Sequence, residues 1–311
     1  MARFMVFGSV GWDRPIWLDQ PLKSGARLLG LIDSEDAFHL PQGRLGGAAS
    51  NASACLINAG HHVAVWSAVR DDETGAHVRA ALLDLGVDTS NLSVTETIPG
   101  QTMILIEPNG ERTIFFQHAD PDLNRTIRHA MKRQAAKIDI AKVSAFRPEG
   151  ILLRALFSNY ADLSALSDVI SVGHWPQSSN VAEMPADVLI GSRDDLKAYG
   201  LLEDAFQHAK KACGNRLKWI IVTDGKSGGE IFGEAKRFAY SSPVIHQIDA
   251  TGAGDSFAAG VLEALVKGAD IVEAAHHGAS WGAKTASLRG SAEIRPTGTY
   301  TSWNAVEAPA R

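Results

Sequence analysis

The chain has 311 residues, 45% apolar and 21% charged, and a formal net charge of −5 from 30 Lys and Arg against 35 Asp and Glu. That length holds one large core or two modest ones, and the slightly acidic balance excludes the basic footprint of a nucleic-acid binder. No apolar run approaches the ~20 residues of a membrane-spanning helix, and the N-terminal apolar stretch Phe4 to Phe7 is too short for a signal peptide, so a cytoplasmic protein without a membrane partner is expected. The two cysteines, Cys55 and Cys213, lie in apolar, helix-like settings that suit buried thiols better than a disulfide or metal pair.

In chain order, residues 3–7 read as a strand, 48–59 as a helix and 62–68 as a strand. Residues 73–85 carry apolar side chains at helical spacing and stop at Gly86. Residues 142–146, 169–172, 188–190 and 219–223 read as further short strands, and 256–267 as a helix. Alternating strand and helix signals argue for a parallel sheet covered by helices on both faces. Two regions break the alternation. Residues 12–40 lack a helical pattern, and 102–117 read as a hairpin about Pro108-Asn109-Gly110. There is no repeat, low-complexity tract or linker, so the chain reads as one α/β domain over residues 1–311.

Three short segments carry chemistry. Asp249-Ala250-Thr251-Gly252-Ala253-Gly254-Asp255 precedes the helix beginning at Ser256. Glycines at a helix start turn backbone N–H groups toward one point, which suits phosphate or developing negative charge. Asp255 would repel an anion there unless it has its own task, such as taking a proton from a nucleophile. The plainer reading is a glycine-rich loop with an Asp cap. Gly46-Gly47 opens another helix and allows a ligand close to the backbone, while Asn51, one turn on, offers a donor and an acceptor to a hydroxyl-bearing ligand. Gly8-Ser9-Val10-Gly11-Trp12-Asp13 follows the first strand and ends in an acid, which reads either as a ligand to hydroxyls or as a turn acid before Pro15.

Taken in order, these segments resemble the ribokinase-like (PfkB) carbohydrate kinase family. The resemblance extends through residues 67–75, Leu85-Gly86-Val87-Asp88, Gly100-Gln101-Thr102, Asn109-Gly110-Glu111-Arg112-Thr113-Ile114 and residues 222–228. Within the family the Gly-Gly-x-Ala-Ser-Asn pattern is most similar to the ketohexokinase branch, although Ala48 stands where that branch has a sugar-binding Asn. The resemblance implies a three-layer α/β sandwich with a mainly parallel central sheet and a small β-sheet lid from segments 12–40 and 100–117. It implies ATP-dependent phosphorylation of a hydroxyl on a small carbohydrate, such as fructose or a ribose-like sugar. Asp255 would be the base, and the N–H groups of Gly252, Ala253, Gly254 and Asp255 the anion hole. Asp13, Gly46, Gly47 and Asn51 would hold the sugar. Arg112 would reach the sugar or a phosphate, or remain a solvated hairpin arginine.

Ser192, Thr223, Gly225 and Gly228 would lie on the nucleotide side. The small-residue run 278–287 would pass beneath the adenine or pack closely against a helix. Mg2+ is implied, with Asp195 as a ligand through water; many members carry Asn-x-x-Glu there, and Ser192 replaces the Asn. A monovalent cation such as K+ would sit near Asp249 and Ser291. A homodimer through the lids is implied, with Ile104, Ile106, Ile114 and Phe116 on the outward face; the plainer reading packs these residues inward in a monomer with a mobile flap.

Other classes fit less well. A P-loop at Gly225-Lys226-Ser227 needs a glycine where Ile220 stands, and a dinucleotide fingerprint from Gly8 and Gly11 needs one at Arg14. A nucleoside kinase and a non-catalytic sugar- or nucleotide-sensing protein share the fold. The adjacent pairs His61-His62 and His276-His277 point their rings apart and do not suggest a metal site.

Overall fold

The computed structural model describes residues 1–24, 28, 30–32, 43–95, 101–116, 137–154, 160–176 and 184–288. The expected positions Gln117, Gly100 and Ser291 and the middle of the first lid segment lie outside these residues.

The main sheet is built on β1 (Arg3–Phe7), whose side chains alternate between two cores. Phe4 and Val6 join one apolar cluster, Met5 and Phe7 the other, the pattern of a strand buried on both faces. β1 pairs in parallel with β5 (His62–Val69) on one side and β9 (Gly150–Leu153) on the other. β6 (Asp88–Val94) extends the β5 side, and β10 (Ile170–His174), β11 (Val188–Ser192) and β12 (Trp219–Thr223) extend the β9 side, all parallel. β13 (Gly229–Phe232) and β14 (Arg237–Tyr240) close that edge antiparallel.

Helices α1 (Ala48–Asn58), α2 (Glu73–Asp84), α6 (Ala253–Val266) and α7 (Ile271–Ala286) cover the first face. α3 (Ile140–Phe146), α4 (Arg193–Ala198) and α5 (Ala205–Cys213) cover the second. The expected α/β three-layer arrangement is therefore present. α6 and α7 pack through small residues: a Cβ on Gly278 would stand 2.6 Å from the carbonyl oxygen of Phe257. Close packing thus accounts for glycine at that position of the small-residue run.

One expectation for the main sheet needs correction. Residues 142–146 form most of α3 rather than a strand, because the Asp139 side chain accepts from the N–H groups of Ala141 and Lys142 and caps a helix there. The strand of this region is β9, one turn of chain later. Cys55 and Cys213 are free and buried, as expected, and burial pushes their thiols up to about 11 and about 12. No helix among the described residues is long and apolar enough to cross a membrane.

The second sheet uses β2 (Gly11–Leu18), β3 (Gly30–Ile32), β4 (Arg44–Gly46), β7 (Gln101–Ile106) and β8 (Arg112–Phe116). Its order is β3-β2-β7-β8, with β4 also paired to β2, so both expected lid segments contribute. Ile104 and Ile106 are not outward: they are 1% and 0% exposed, because that face of β7 closes against the rest of the chain. Apolar exposure falls instead on the edge strand β8, at Ile114 and Phe115; the Phe116 side chain lies outside the described residues. The turn at the hairpin tip, with Gly110 at φ +80°, reaches the main body, where the Gly110 carbonyl accepts from Ala250 N at 3.2 Å.

One histidine from each adjacent pair converges on a buried carboxylate in α6. His61 Nε2 lies 3.1 Å from Glu263 Oε1 and His277 Nε2 lies 3.1 Å from Oε2, while Lys267 reaches Oε1 from one turn along the helix. Ala2 N donates to His61 Nδ1 at 3.1 Å, so the cluster ties the N-terminus to α6 and α7. Burial works to raise the Glu263 carboxyl, but the bonds from His277, His61 and Lys267 overcome it and hold the group well below its ordinary 4.5. A depressed folded-state value means that Glu263 stabilises the fold fully above pH 4.5 and that this stability is lost as pH falls through the folded value. Glu263→Gln is expected to cost about 3 kcal/mol at pH 7, since it unpairs buried partners, and to flatten the acid limb of a Tm-against-pH profile. An unchanged profile would show that the cluster is not coupled to folding.

Candidate active site

All seven parallel strands point their C-terminal ends the same way, and Gly8, Arg154, His174, Ser192 and Thr223 end or follow β1, β9, β10, β11 and β12 there. The chain runs from β1 outward through β5 and β6, then returns to β9 on the other side. The crevice of an open α/β sheet lies at such a reversal. Gly8 and Arg154 flank it: Arg154 N donates to Phe7 O at 2.6 Å, and a Cβ on Gly8 would stand 3.1 Å from Arg154 Cβ.

Two helices begin beside this crevice with glycine N-caps in positive-φ conformations, α1 at Gly47 (φ 89°) and α6 at Gly252 (φ 77°). Neither has a side-chain cap. Their free N–H groups differ. At α1, Ala48 N donates to Ser9 Oγ at 3.3 Å and Ala49 N to Ser9 O at 2.8 Å. At α6, Ala253 N donates to Ala250 O at 3.2 Å, a bond that closes the turn before the helix. Gly254 and Asp255 are in the first helical turn, where N–H groups have no intrahelical partner. A Cβ on Gly254 would meet nothing within 4 Å, so open space lies against that turn.

Asp255 is buried at the centre of a hydrogen-bonded group. Asn51 Nδ2 donates to Asp255 Oδ2 at 2.8 Å, and Arg154 Nε donates to Oδ1 at 3.0 Å, with Arg154 Nη2 on the same oxygen. Asp249 fixes the loop before α6: its Oδ1 accepts from Thr251 N at 2.8 Å and its Oδ2 from Arg44 Nη2 at 2.6 Å. Arg44 is the β4 partner of Asp13 on β2. Asp13 in turn lies over the bare Cα of Gly46, where a Cβ would come within 2.0 Å of Asp13 Oδ2. Glycine at 46 is thus required by a carboxylate, and at 47 by positive φ and by Ser9 O, 2.6 Å from a Cβ placed there.

Asp13 is buried, and among the described residues no hydrogen bond reaches its carboxylate. Burial pushes its carboxyl up to about 6, Arg44 opposes that rise, and the charges of Asp249 and Asp255 add to it. Its lone pairs are therefore available to hydroxyl donors when ionised. Because kcat/KM reports ionisations of the free enzyme, acceptor kcat/KM is expected to be flat above about pH 6 and to fall as Asp13 protonates below it. Asp13→Asn should abolish this limb; a wild-type limb that survives in Asp13→Asn would assign it to another group.

The nucleotide-side candidates gather at the ends of β11 and β12. Ser192 and Thr223 are register partners, and Thr223 Oγ1 donates to Gly191 O at 3.4 Å. The turn after β12 places Gly225 at φ +51° and Gly228 at φ +87°, closed by Asp224 N to Gly228 O at 2.8 Å. Ser192 caps α4, receiving Asp195 N at 3.0 Å and donating to Asp195 Oδ2 at 2.7 Å. Arg112 is exposed on β8. Arg44, Arg154 and His174 stand in no local motif, and the sequence signal for β9 is the apolar run Gly150-Ile151-Leu152-Leu153 after a Pro-Glu break.

A helix N-terminus without a side-chain cap thus carries one buried carboxylate, Asp255, and a second, Asp13 of the other sheet, lies within its electrostatic reach. Residues 37–298 match the family model described as pfkB family carbohydrate kinase. The chain belongs to that family and is a carbohydrate kinase, a phosphotransferase with an alcohol acceptor. It is 25% identical over 297 residues to an ATP-dependent ribose-1-phosphate kinase of Halopiger xanaduensis, covering 94% of each chain. Among solved structures, it superimposes on a ribokinase of Cryptococcus neoformans in complex with ADP with a TM-score of 0.67 at 21% identity, covering 96% of this chain and 97% of that one. It matches a Methanocaldococcus jannaschii nucleoside kinase of the ribokinase family with a TM-score of 0.67 at 19% identity, covering 95% of each.

Proposed function

We propose that the protein transfers the γ-phosphoryl group of ATP to a hydroxyl of a small carbohydrate, with Asp255 as the general base. The observation that carries this reading is the placement of Asp255 in the first turn of α6, bonded to Asn51 of α1 and beside an N-terminus without a side-chain cap. In the reaction the acceptor O–H gives its proton to Asp255, the acceptor oxygen forms a bond to phosphorus, and ADP leaves with the electron pair of the broken P–O bond. Catalysis in such a transfer is mainly positioning and charge stabilisation. Asp13 and Asn51 orient the hydroxyls, Gly46 and Gly47 admit the sugar close to the backbone, and the N–H groups of Gly254 and Asp255 stabilise charge on the transferring oxygens.

Ser192, Thr223, Gly225 and Gly228 line the nucleotide side. Mg2+ keeps several waters and binds through one or two carboxylates plus phosphates, and the exposed carboxylate of Asp195, which accepts from Ser192 Oγ through Oδ2, suits such an outer position. Bound there, the ion would neutralise phosphate charge. A K+ site at Asp249 would have to use backbone carbonyls, because its carboxylate is already bonded to Arg44 and Thr251.

The test is ADP formation from ATP and Mg2+ across ribose, fructose, their phosphates and nucleosides. Acceptor-dependent ADP supports the reading, and nucleoside-only turnover would favour the nucleoside kinase alternative. Nucleotide and sugar binding without any ADP would instead make it a sensing protein.

The lid supports a homodimer. The edge strand β8 exposes Ile114 at 42% and Phe115 at 46%, and an apolar edge invites pairing unless covered. Light scattering should give twice the chain mass, and Ile114→Glu with Phe115→Glu should halve it; a monomeric wild type would end this reading.

A further inference from the structure

We propose that Arg154 makes the acceptor site selective for carbohydrates that carry an anionic group, a phosphate or a carboxylate. That group takes the guanidinium from Asp255 and so frees the carboxylate to receive the acceptor hydroxyl. The inference rests on the kinase reading above and names the acceptor class for the same site.

The starting point is that both oxygens of Asp255 already accept hydrogen bonds before any acceptor arrives, Oδ1 two and Oδ2 one. Two N–H groups of Arg154 point at Oδ1 and the Asn51 amide points at Oδ2. A proton delivered to Oδ1 would face two N–H donors, so Arg154 must move for Asp255 to act there. Moving it has a cost that depends on the acceptor. The side chains of Arg154 and Asp255 are only 9% and 12% exposed. A neutral sugar that separated them would leave a buried guanidinium without a counter-charge, which is strongly unfavourable. An acceptor with its own anion supplies the replacement. The planar fork of arginine matches phosphate and carboxylate oxygens in pairs, so the guanidinium keeps a counter-charge, while the displaced Asp255 keeps the Asn51 bond and its place in the first turn of α6, whose N-terminus favours negative charge.

The surroundings favour Arg154 over Arg44. Arg44 is committed to Asp249, the carboxylate that anchors the loop before α6. Arg154 has its backbone fixed between β1 and β9 by the bond to Phe7 O, so only its side chain needs to swing. On the neighbouring strand end, His174 is held well below its ordinary 6.5, by burial first and then by the charge of Arg154. An uncharged imidazole there adds no second cation to compete for the anion. Asp13, Asn51 and the crevice at β1 and β9 surround the same space, so an anion on Arg154 belongs to the molecule whose hydroxyl faces Asp255.

The experiment is calorimetric titration of the full chain with matched pairs: ribose and ribose 1-phosphate, fructose and fructose 6-phosphate, glucose and gluconate. The charged member of at least one pair should bind at least about tenfold tighter, as a bidentate arginine contact provides. The phosphate pairs and the carboxylate pair tell the two anion sources apart. Arg154→Gln should bring the ratio close to one, and Arg154→Lys should retain part of it. ADP binding and Tm of each variant check the fold. Equal or tighter binding of the neutral member in every pair overturns the proposal on the wild type alone. So does a preference that Arg154→Gln leaves intact, and so does failure to bind either member of any pair. ADP formation with a neutral sugar as best acceptor would defeat the Arg154 proposal while keeping the kinase reading. Arg154-dependent anion preference without ADP from any acceptor would do the reverse.

Discussion

Asp255→Asn is expected to lower turnover on the best acceptor by about 10²–10⁴, the usual contribution of a general base. The amide cannot take the acceptor proton. It also carries one oxygen where the carboxylate had two, so it cannot accept from both Asn51 and Arg154 as Asp255 does. One of its own N–H groups would face one of those donors. The buried Arg154 guanidinium loses its counter-charge, a change that costs about 3 kcal/mol, and Tm should fall accordingly. The nucleotide side, built from the ends of β11 and β12, does not touch Asp255, so ADP affinity should be retained. Steady-state assays, thermal unfolding and ADP titration separate the three effects. A variant that phosphorylates its acceptor at the wild-type rate would remove Asp255 from the mechanism.

Gly254→Val is expected to lower turnover by about 10²–10³, the scale seen when a donor to developing charge is lost, with little loss of stability. The two effects separate because of where the side chain would go. A Cβ at this position meets no atom within 4 Å, so the fold accommodates it. The isopropyl group would then occupy the space through which an anion reaches the Gly254 and Asp255 N–H groups. Gly252 offers the contrasting case, since its φ of 77° strains any other residue. Equal losses of acceptor affinity, rate and Tm in Gly254→Val would place its effect in folding rather than in the anion site.

What could be read from sequence was whatever has a local cause. Gly46, Gly47 and Gly252 are demanded by close approach or positive φ within a few residues of a helix start, and such needs leave a short signature. Asn51 and Asp255 came with them, one turn inside their helices, and the fold joins the two by a hydrogen bond. The alternation of strands and helices revealed the sheet because both of its faces are buried. What could not be read depended on partners distant in the chain. Arg154 is one charged residue after an apolar run until β9 is placed beside β1. His61 and His277 gained a shared role only through Glu263 on a third element. The outward face of the lid was misjudged at Ile104 and Ile106 because alternation gives two faces without saying which is covered. Residues 142–146 alternate like a strand, and the deciding signal was the cap at Asp139, just outside the pattern.

The bond between Asn51 and Asp255 spans 204 residues of sequence, and that between Arg44 and Asp249 spans 205. During synthesis the N-terminal half of the site therefore leaves the ribosome long before its counterpart. Until α6 emerges, Asp13 and Asn51 have no base opposite them, and the first face of the sheet lacks the helix that covers its centre. Competence for chemistry and burial of that face thus arrive together with the last two helices described here. A chain that ended before Asp249 would leave apolar side chains such as Phe4, Val6 and Leu152 without the helices that complete their cluster.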